Sequence, residues 1–227
     1  MHTEALDENS RNNLLILKKG NLLNDFYLAG GTAVALHLGH RISYDLDFFS
    51  NKSFDGLLLK RIISNLGDYK DSISNKQNMI GKFNGSLLSF IYYKPEMIGS
   101  FQQVDGVNIA SIDDLIAMKV EAISQRGRKR DFVDLYFMMK NRNKSIFDVM
   151  LQYCEKYKDF NLNLVHALKS FNYFEDAETD PLPEMKVPTK WQDVRKFFEN
   201  QKYDIVRSLE NSGIFKKDIS PDFGPKS

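Results

Sequence analysis

The apolar residues of this chain change their spacing near residue 110, and this change constrains the fold more than any other feature of the sequence. Between residues 69 and 109 they occur in short runs separated by turn sequences such as Asn84-Gly85 and Asp105-Gly106, a pattern typical of strands. From Ser111 onward they recur every three or four residues, which predicts helices. The sequence therefore predicts an α+β (mixed α/β) fold, in which an α/β half precedes a helical half.

The same rules predict individual elements. Strands are expected at residues 26–29, 45–49, 79–83, 87–93 and 104–109, and helices at 5–19, 32–38, 54–66, 111–125, 131–140, 145–157, 162–170 and 192–201. Ser111 is expected to cap its helix, with Asp114 in the first turn as in a capping box. We divide the chain into an α/β core over residues 1–109, a helical region over 110–217 and a disordered tail over 218–227.

Two aspartates, Asp45 and Asp47, follow a glycine turn in a predicted strand. Residues two apart in a strand share a face, so the two carboxylates project side by side and repel each other unless a cation lies between them. Ligation by oxygen alone suits Mg²⁺ or Mn²⁺, which complete their coordination with water and substrate phosphates. The pair therefore predicts a divalent metal site.

The glycine turn itself, Gly30-Gly31-Thr32, lies where a predicted strand meets a helix. Glycines let the backbone approach a phosphate, the helix offers free N–H groups to the anion, and Thr32 adds a hydroxyl. A lone Gly-Gly-Thr is more often a plain turn, and a lone Asp-x-Asp is more often a solvated strand edge. Together and in this order, they favour phosphoryl transfer from a nucleoside triphosphate (NTP).

A lysine, Lys119, lies within the apolar face of the helix predicted at 111–125. Such a lysine either extends to solvent or points into a cleft, and we predict that it faces the cleft of Asp45 and Asp47. Asp131 and Asp134 are three residues apart on the next helix. They could orient Lys119 or an arginine, or act as a general base, or form structural ion pairs.

The charge distribution bears on the partners. The net charge is only +1, but residues 119–144 carry eight basic and three acidic side chains, which fits an RNA or triphosphate ligand as well as a solvated loop. Residues 175–184 carry five acidic side chains and no basic one, so we expect a disordered acidic segment, with shielding of the basic patch as the alternative. A single cysteine and no long apolar run predict a cytoplasmic protein that does not enter a membrane.

Two blocks of this sequence resemble a known family. Gly30-Gly31-Thr32 followed by Asp45-x-Asp47 resembles the first motif of the DNA polymerase β-like nucleotidyltransferases, and the longer strings 28–33 and 39–49 resemble the AbiEii/AbiGii toxins within that superfamily. The stretch 111–136, with Lys119, a basic loop and Arg130-Asp131-x-x-Asp134, is also similar to that family. The likeness runs from about Phe26 to Lys140.

The resemblance implies a polymerase β-like half with a short mixed sheet, and an enzyme that moves a nucleoside monophosphate (NMP) from an NTP to an acceptor. It implies the toxin of a toxin–antitoxin or phage-defence system, with RNA or tRNA as acceptor and a cognate antitoxin as partner. The residues that it assigns to catalysis are Asp45, Asp47, Lys119 and Asp131. Those assigned to the nucleotide are Gly30, Gly31, Thr32, Arg41, Ser43, Arg126 and Arg130.

One departure from the family pattern leaves alternatives open. Polymerase β-like centres commonly hold a third carboxylate on an adjacent strand, but residues 87–93 contain no acid, and Ser89 stands where it would be expected. The second metal of a two-metal site would then lose a charged ligand. The alternatives are a non-catalytic nucleotide- or RNA-binding protein that retains the fold, and a nucleotidyltransferase acting on a small molecule such as an antibiotic.

Overall fold

A mixed sheet of seven strands forms the centre of this computed structural model, which describes residues 1–201. The strand order is β3-β4-β5-β2-β1-β7-β6. Strand β2 runs parallel to β5 and antiparallel to β1, so the sheet is mixed, as predicted. The strands are β1 (Tyr27–Leu28), β2 (Leu46–Ser50), β3 (Tyr69–Ser74), β4 (Asn78–Phe83), β5 (Ser86–Tyr92), β6 (Gln102–Val104) and β7 (Val107–Ile109).

Helices flank the sheet and make up nearly all of the regular structure after β7. A 3₁₀ helix at Thr3–Ala5 comes first. Within residues 1–201, no helix is long and apolar enough to cross a bilayer. The α-helices are α1 (Glu8–Lys19), α2 (Gly30–Leu38), α3 (Gly56–Ser64), α4 (Ile112–Arg126), α5 (Lys129–Arg142), α6 (Ile146–Lys156), α7 (Leu164–Ser170), α8 (Glu175–Thr179) and α9 (Trp191–Asn200).

The predicted elements form within a few residues, with one exception: the strand expected at 104–109 is a hairpin, in which β6 and β7 pair antiparallel across the turn at Asp105-Gly106. Strand β3, helix α8 and the 3₁₀ helix were not expected. Strand β3 was not predicted, because it is an edge strand with mostly exposed side chains and little apolar alternation. The prediction that residues 175–184 are disordered is wrong. Helix α8 forms there because Ala177 and the preceding Phe174 are buried, and Glu178 accepts a hydrogen bond from the indole of Trp191 at 3.0 Å.

The proposed division of the chain falls between two elements, since β7 ends at Ile109 and α4 begins at Ile112. Helix α2 of the first part packs against α4 and α5 of the second. The boundary at residue 109 stays a prediction. The predicted tail, 218–227, and the last part of the helical region lie outside the described residues.

Helix α4 is the central helix of the second half and contacts α2, α5, α6 and α7. Its apolar positions, among them Leu115, Ile116 and Val120, are buried at helical spacing. It begins at Ser111, whose hydroxyl accepts the N–H of Asp114 at 3.1 Å, and ends at Gly127 in a left-handed conformation. Helix α4 therefore carries its residues to the cleft on a rigid support.

The predicted capping box is only half formed, because the Asp114 carboxylate has other partners. It accepts N–H groups from Ile98 at 2.9 Å and Gly99 at 3.0 Å, the Ser111 hydroxyl at 2.5 Å and the buried ammonium of Lys156 at 2.7 Å. Asp114 is fully buried. It thus joins the loop before β6 and the end of α6 to the start of α4.

We expect Asp114→Ala to lower the free energy of unfolding by about 3–5 kcal/mol, because it leaves a buried ammonium without its carboxylate. Lys156→Met should cost less, since the carboxylate keeps three other donors. Asp113→Ala is the matched control: this neighbouring side chain is 44% exposed, and its loss should cost under about 1 kcal/mol. Urea unfolding measures all three variants, and equal losses for Asp114→Ala and Asp113→Ala would contradict the assignment.

Candidate active site

A cleft of about 1390 Å³ lies between the sheet and the helical half. The start of α2, the start of β2, α4 and the beginning of α5 contribute to its wall. The structure brings ten of the eleven predicted site residues to this cleft: Gly30, Gly31, Thr32, Arg41, Ser43, Asp45, Asp47, Lys119, Arg126 and Arg130. Asp131 lies behind the cleft, fully buried. Their catalytic and binding roles stay predictions.

The two glycines form the first turn of α2 rather than a turn before it. Gly30 has a φ of +64°, which favours glycine, and a Cβ there would lie 2.9 Å from Oδ2 of Asp47. A Cβ on Gly31 would lie 2.1 Å from Nη2 of Arg41. The glycines therefore make room for two side chains of the site, in addition to leaving N–H groups at a helix start.

Thr32 and Ser43 are buried, and both support the backbone that carries the acid pair. The Thr32 hydroxyl donates to the carbonyl oxygen of Asp45, and its oxygen lies 2.8 Å from the hydroxyl of Ser43. This contact fixes the chain immediately before β2. In this conformation the Thr32 hydroxyl positions Asp45, whereas the sequence predicted it as a donor to the ligand.

Asp45 and Asp47 bracket the first residue of β2, and both line the cleft. Asp45 is partly exposed and pairs with Arg130, whose Nη1 lies 3.3 Å from its Oδ2. Burial raises the pKa of Asp47, a hydrogen bond from Ser89 lowers it, and the nearby charge of Asp45 raises it further. Ser89 is the direct neighbour of Asp47 in the parallel register of β2 and β5.

The donor set fits one divalent ion of the Mg²⁺ class. Both carboxylates line the cleft, and the pKa of Asp47 is raised in part by Asp45, so a cation between them would relieve an unfavourable charge. Within residues 1–201 no group of three or more His, Cys, Asp and Glu side chains is close enough to hold a metal. Mg²⁺ needs only one or two protein carboxylates when phosphates and waters complete its shell.

Lys119 lines the cleft and is buried, so its side chain does not extend to solvent. Its ammonium has two carboxylate partners. Its ammonium lies 2.6 Å from Asp131 and 2.8 Å from Asp134. Asp131 also accepts from Nε of Arg126 at 3.0 Å. Burial would raise the pKa of Asp131, but Lys119 and Arg126 hold it below its ordinary value. Asp131 is thus placed to orient two cations, and a direct role as base stays a prediction.

Asp134 is the second acid of this network and reaches into the α/β half. It accepts from Arg41 at 2.7 and 3.0 Å and from His40 at 2.9 Å, and all three side chains are buried. Burial would raise the pKa of Asp134, but the charges of Arg41 and Lys119, with the hydrogen bonds from His40 and Arg41, hold it well below its ordinary value. The sequence did not identify His40 as part of the site, since one histidine in a loop carries no periodic signal.

A segment from Asp180 to Glu184 lines the cleft and was also missed. Asp180 accepts from Nε of Arg128 at 2.8 Å, and the Glu184 carbonyl accepts from the N–H of Ile42 at 2.8 Å. The N–H groups of Lys186 and Val187 donate to the carbonyl of His40. The only signal for this segment in the sequence was its run of acidic residues. That run favoured disorder, and shielding of the basic patch was the weaker alternative.

Comparisons with known proteins agree with this geometry. The family model for the AbiEii nucleotidyl transferase toxin of type IV toxin–antitoxin systems matches residues 15–85 and 86–211. The uncharacterized protein aq_aa25 of Aquifex aeolicus (strain VF5) is 33% identical over 194 residues, which are 84% of this chain and 91% of that protein. The family predicted from the two motifs is the family that matches.

Two solved structures share the fold. A Helicobacter pylori protein, provisionally called a nucleotidyltransferase, has a TM-score of 0.53 and 19% identity, covering 90% of this chain and 97% of its own. MenT4, a nucleotidyltransferase toxin of Mycobacterium tuberculosis H37Rv, has a TM-score of 0.50 and 15% identity, covering 92% of this chain and 88% of its own. The fold is thus polymerase β-like, as predicted.

We expect Asp134→Asn to lower the free energy of unfolding at neutral pH by about 3–5 kcal/mol, because Arg41 and Lys119 stay buried without this charge. The native pKa of Asp134 is depressed, so its stabilising contribution is present above the unfolded pKa of about 3.9 and is lost as pH falls through the native pKa. Below about pH 4 the wild type should therefore lose stability more steeply than the variant.

Denaturant unfolding from neutral pH down into the acid range measures this difference. Asp25→Asn is the control, since Asp25 is 62% exposed and pairs with Lys52 at 2.6 Å on the surface. It should change stability by under about 1 kcal/mol. Parallel pH profiles for the wild type and Asp134→Asn would contradict the role given to the buried carboxylate.

Proposed function

The chain belongs to the AbiEii family of nucleotidyltransferase toxins, and on this premise we propose that it moves an NMP from an NTP to a hydroxyl of an RNA, with tRNA as the acceptor. The acceptor oxygen forms a bond to the α-phosphorus and its proton passes to water, while the bond from that phosphorus to the bridging oxygen of the β-phosphate breaks and pyrophosphate leaves. The observation that supports this most is the placement of Asp45 and Asp47 beside the first turn of α2, in one cleft with Lys119.

Asp45 and Asp47 would hold Mg²⁺ or Mn²⁺, which would supply positive charge to the triphosphate oxygens during transfer. The N–H groups at the start of α2, from Gly30 to Thr32, would bind phosphate, since the first turn of a helix leaves its N–H groups without partners in the helix. Asp47 needs the space that the missing Cβ of Gly30 provides, so the metal ligands and the phosphate cradle are set by the same backbone.

The buried network would add positive charge behind the phosphates. It holds two buried cations, Lys119 and Arg41, and the half-exposed Arg126 against two buried carboxylates, Asp131 and Asp134. The excess cation is fixed before the substrate arrives, so it stabilises developing negative charge without reorganisation. In this proposal Asp131 and Asp134 are positioning residues, because their carboxylates contact the cations rather than the cleft.

The shape and charge of the cleft favour RNA over a small acceptor such as an antibiotic. Its volume, about 1390 Å³, exceeds the roughly 300–1,000 Å³ typical of small-molecule pockets. Arg126, Arg128 and Arg130 are half-exposed along it, where they can neutralise backbone phosphates. We also propose that the protein is a cytoplasmic toxin that acts with a cognate antitoxin, or in phage defence, and the family match supports the toxin–antitoxin role.

A non-catalytic nucleotide- or RNA-binding protein is the second candidate, and Ser89 is the observation that favours it. Ser89 pairs in register with Asp47, at the place where a third carboxylate would complete a two-metal site. A single ion can still be held by Asp45 and Asp47, so this difference weakens the second metal and leaves the first. The two candidates differ in whether NTP and acceptor together release pyrophosphate.

We expect Asp45→Asn and Asp47→Asn each to lower transfer at least about 100-fold, because either change removes one of two metal ligands. Neither should lower the melting temperature, and Asp47→Asn should raise it, since burial and the neighbouring charge disfavour the ionised carboxylate. Incubation with labelled NTP, Mg²⁺ and total RNA measures transfer, and Asp25→Asn is the control. Full activity in Asp45→Asn would contradict the proposed metal site.

We also expect NTP to bind at least about tenfold more tightly with Mg²⁺ than with a chelator, because the bare carboxylate pair repels a triphosphate. Calorimetry measures the dissociation constant of NTP with Mg²⁺ and with a chelator. Asp47→Asn should reduce the difference between these two constants. Equal affinity with and without metal, together with no pyrophosphate from any RNA or small-molecule acceptor, would favour the non-catalytic candidate.

A further inference from the structure

A row of four aromatic rings leads from the strand of the acid pair to the mouth of the cleft. Phe49 lies two residues after Asp47 on β2, and its ring centroid is 5.3 Å from that of Tyr93. The Tyr93 hydroxyl lies 2.5 Å from the hydroxyl of Tyr157, and the Tyr157 ring is 6.1 Å from Phe160. All four residues line the cleft. The transfer chemistry described above uses none of them.

The inner part of this row is held in place by polar contacts. Tyr157 is buried, and Tyr153 beside it donates to Glu121 at 2.6 Å. The Lys156 ammonium lies 5.6 Å from the Tyr93 ring and pairs with Asp114. Phe160 therefore rests on rings that cannot shift freely, and an aromatic surface fixed in advance loses little entropy when a ligand stacks on it.

Phe160 itself is 40% exposed, in the loop between α6 and α7. Single exposed apolar side chains are common on protein surfaces. This one differs in its surroundings, because Lys94, Asn161 and Asn163 line the same cleft and are exposed. An aromatic ring combined with cationic and amide groups along a groove is the arrangement that binds single-stranded nucleic acid.

We propose that Phe160 is a stacking platform for an unpaired base of the RNA acceptor, next to the nucleotide whose hydroxyl receives the NMP. This inference rests on the proposed function. Two other rings of the row lie closer to the acid pair along the chain and are better placed for the base of the NTP. Phe49 is on the strand of Asp47, and Tyr93 directly follows the strand of Ser89. Phe160 is the last ring of the row and the most exposed of the four, so it is the ring most accessible to a polymer too long for the cleft to enclose. Lys94 would neutralise a phosphate of the same strand.

The test compares short single-stranded RNAs that end in CCA. One RNA is intact, and in each of the others an abasic nucleotide replaces one of the three terminal nucleotides. The wild type should prefer an intact base over the abasic nucleotide by about tenfold at one position at least. Phe160→Ala should lose most of this preference, and Phe160→Tyr should keep it. Binding of Mg²⁺–NTP should be unchanged in both variants. Fluorescence anisotropy for RNA and calorimetry for NTP give these values.

Phe101→Ala is the matched control, because Phe101 is 43% exposed and is absent from the residues that line the cleft. It should bind these RNAs as the wild type does. If the alanine variant does not fold, Phe160→Leu keeps an apolar side chain without an aromatic face and should give the same loss of preference.

Three outcomes overturn the inference, and they differ in what else they affect. A Phe160→Ala variant that retains the preference for the intact base removes the platform and leaves the proposed function standing. Weaker NTP binding with unchanged RNA binding would assign the ring to the donor base instead. A wild type that binds none of these RNAs would overturn both the RNA acceptor and the platform.

Discussion

The buried carboxylate of Asp134 is the contact on which the arrangement of the site depends. It joins His40 and Arg41, which follow α2, to Lys119 on α4, and it lies on α5. Burying charges is costly unless each has a partner with good geometry, and here every member of the network has one. The α/β half and the helical half are consequently held in one relative position, and the cleft between them contains fixed positive charge.

The glycines of the first motif illustrate how one sequence feature serves two purposes. Read as sequence, Gly30 and Gly31 indicate close approach of a phosphate. In the structure, Gly31 also leaves the space that the Arg41 guanidinium occupies, and Gly30 leaves the space for the Asp47 carboxylate. A side chain at either position would displace a charged group of the site, so the motif is constrained by the protein's own packing.

Ser89 shows what register adds to composition. The sequence shows that residues 87–93 contain no acid, but it does not show which of them lies beside Asp47 in the sheet. The parallel pairing of β2 with β5 places Ser89 beside it, and its hydrogen bond lowers a pKa that burial raises. The site thus has two carboxylates and a hydroxyl where three carboxylates are common, which suits one divalent ion better than two.

The sequence by itself determined the order of most elements and the family, and it predicted the acid pair, because these depend on spacing along the chain. Strand alternation puts Asp45 and Asp47 on one face, and helical spacing puts Lys119 on the buried face of α4, before any tertiary contact is known. Only the tertiary structure decided that Asp131 and Asp134 turn inward to Lys119, that His40 joins them, and that residues 180–184 line the cleft. Ion pairs between residues 94 positions apart, such as His40 with Asp134, follow from the packing of α2 against α5, and no local pattern encodes that packing.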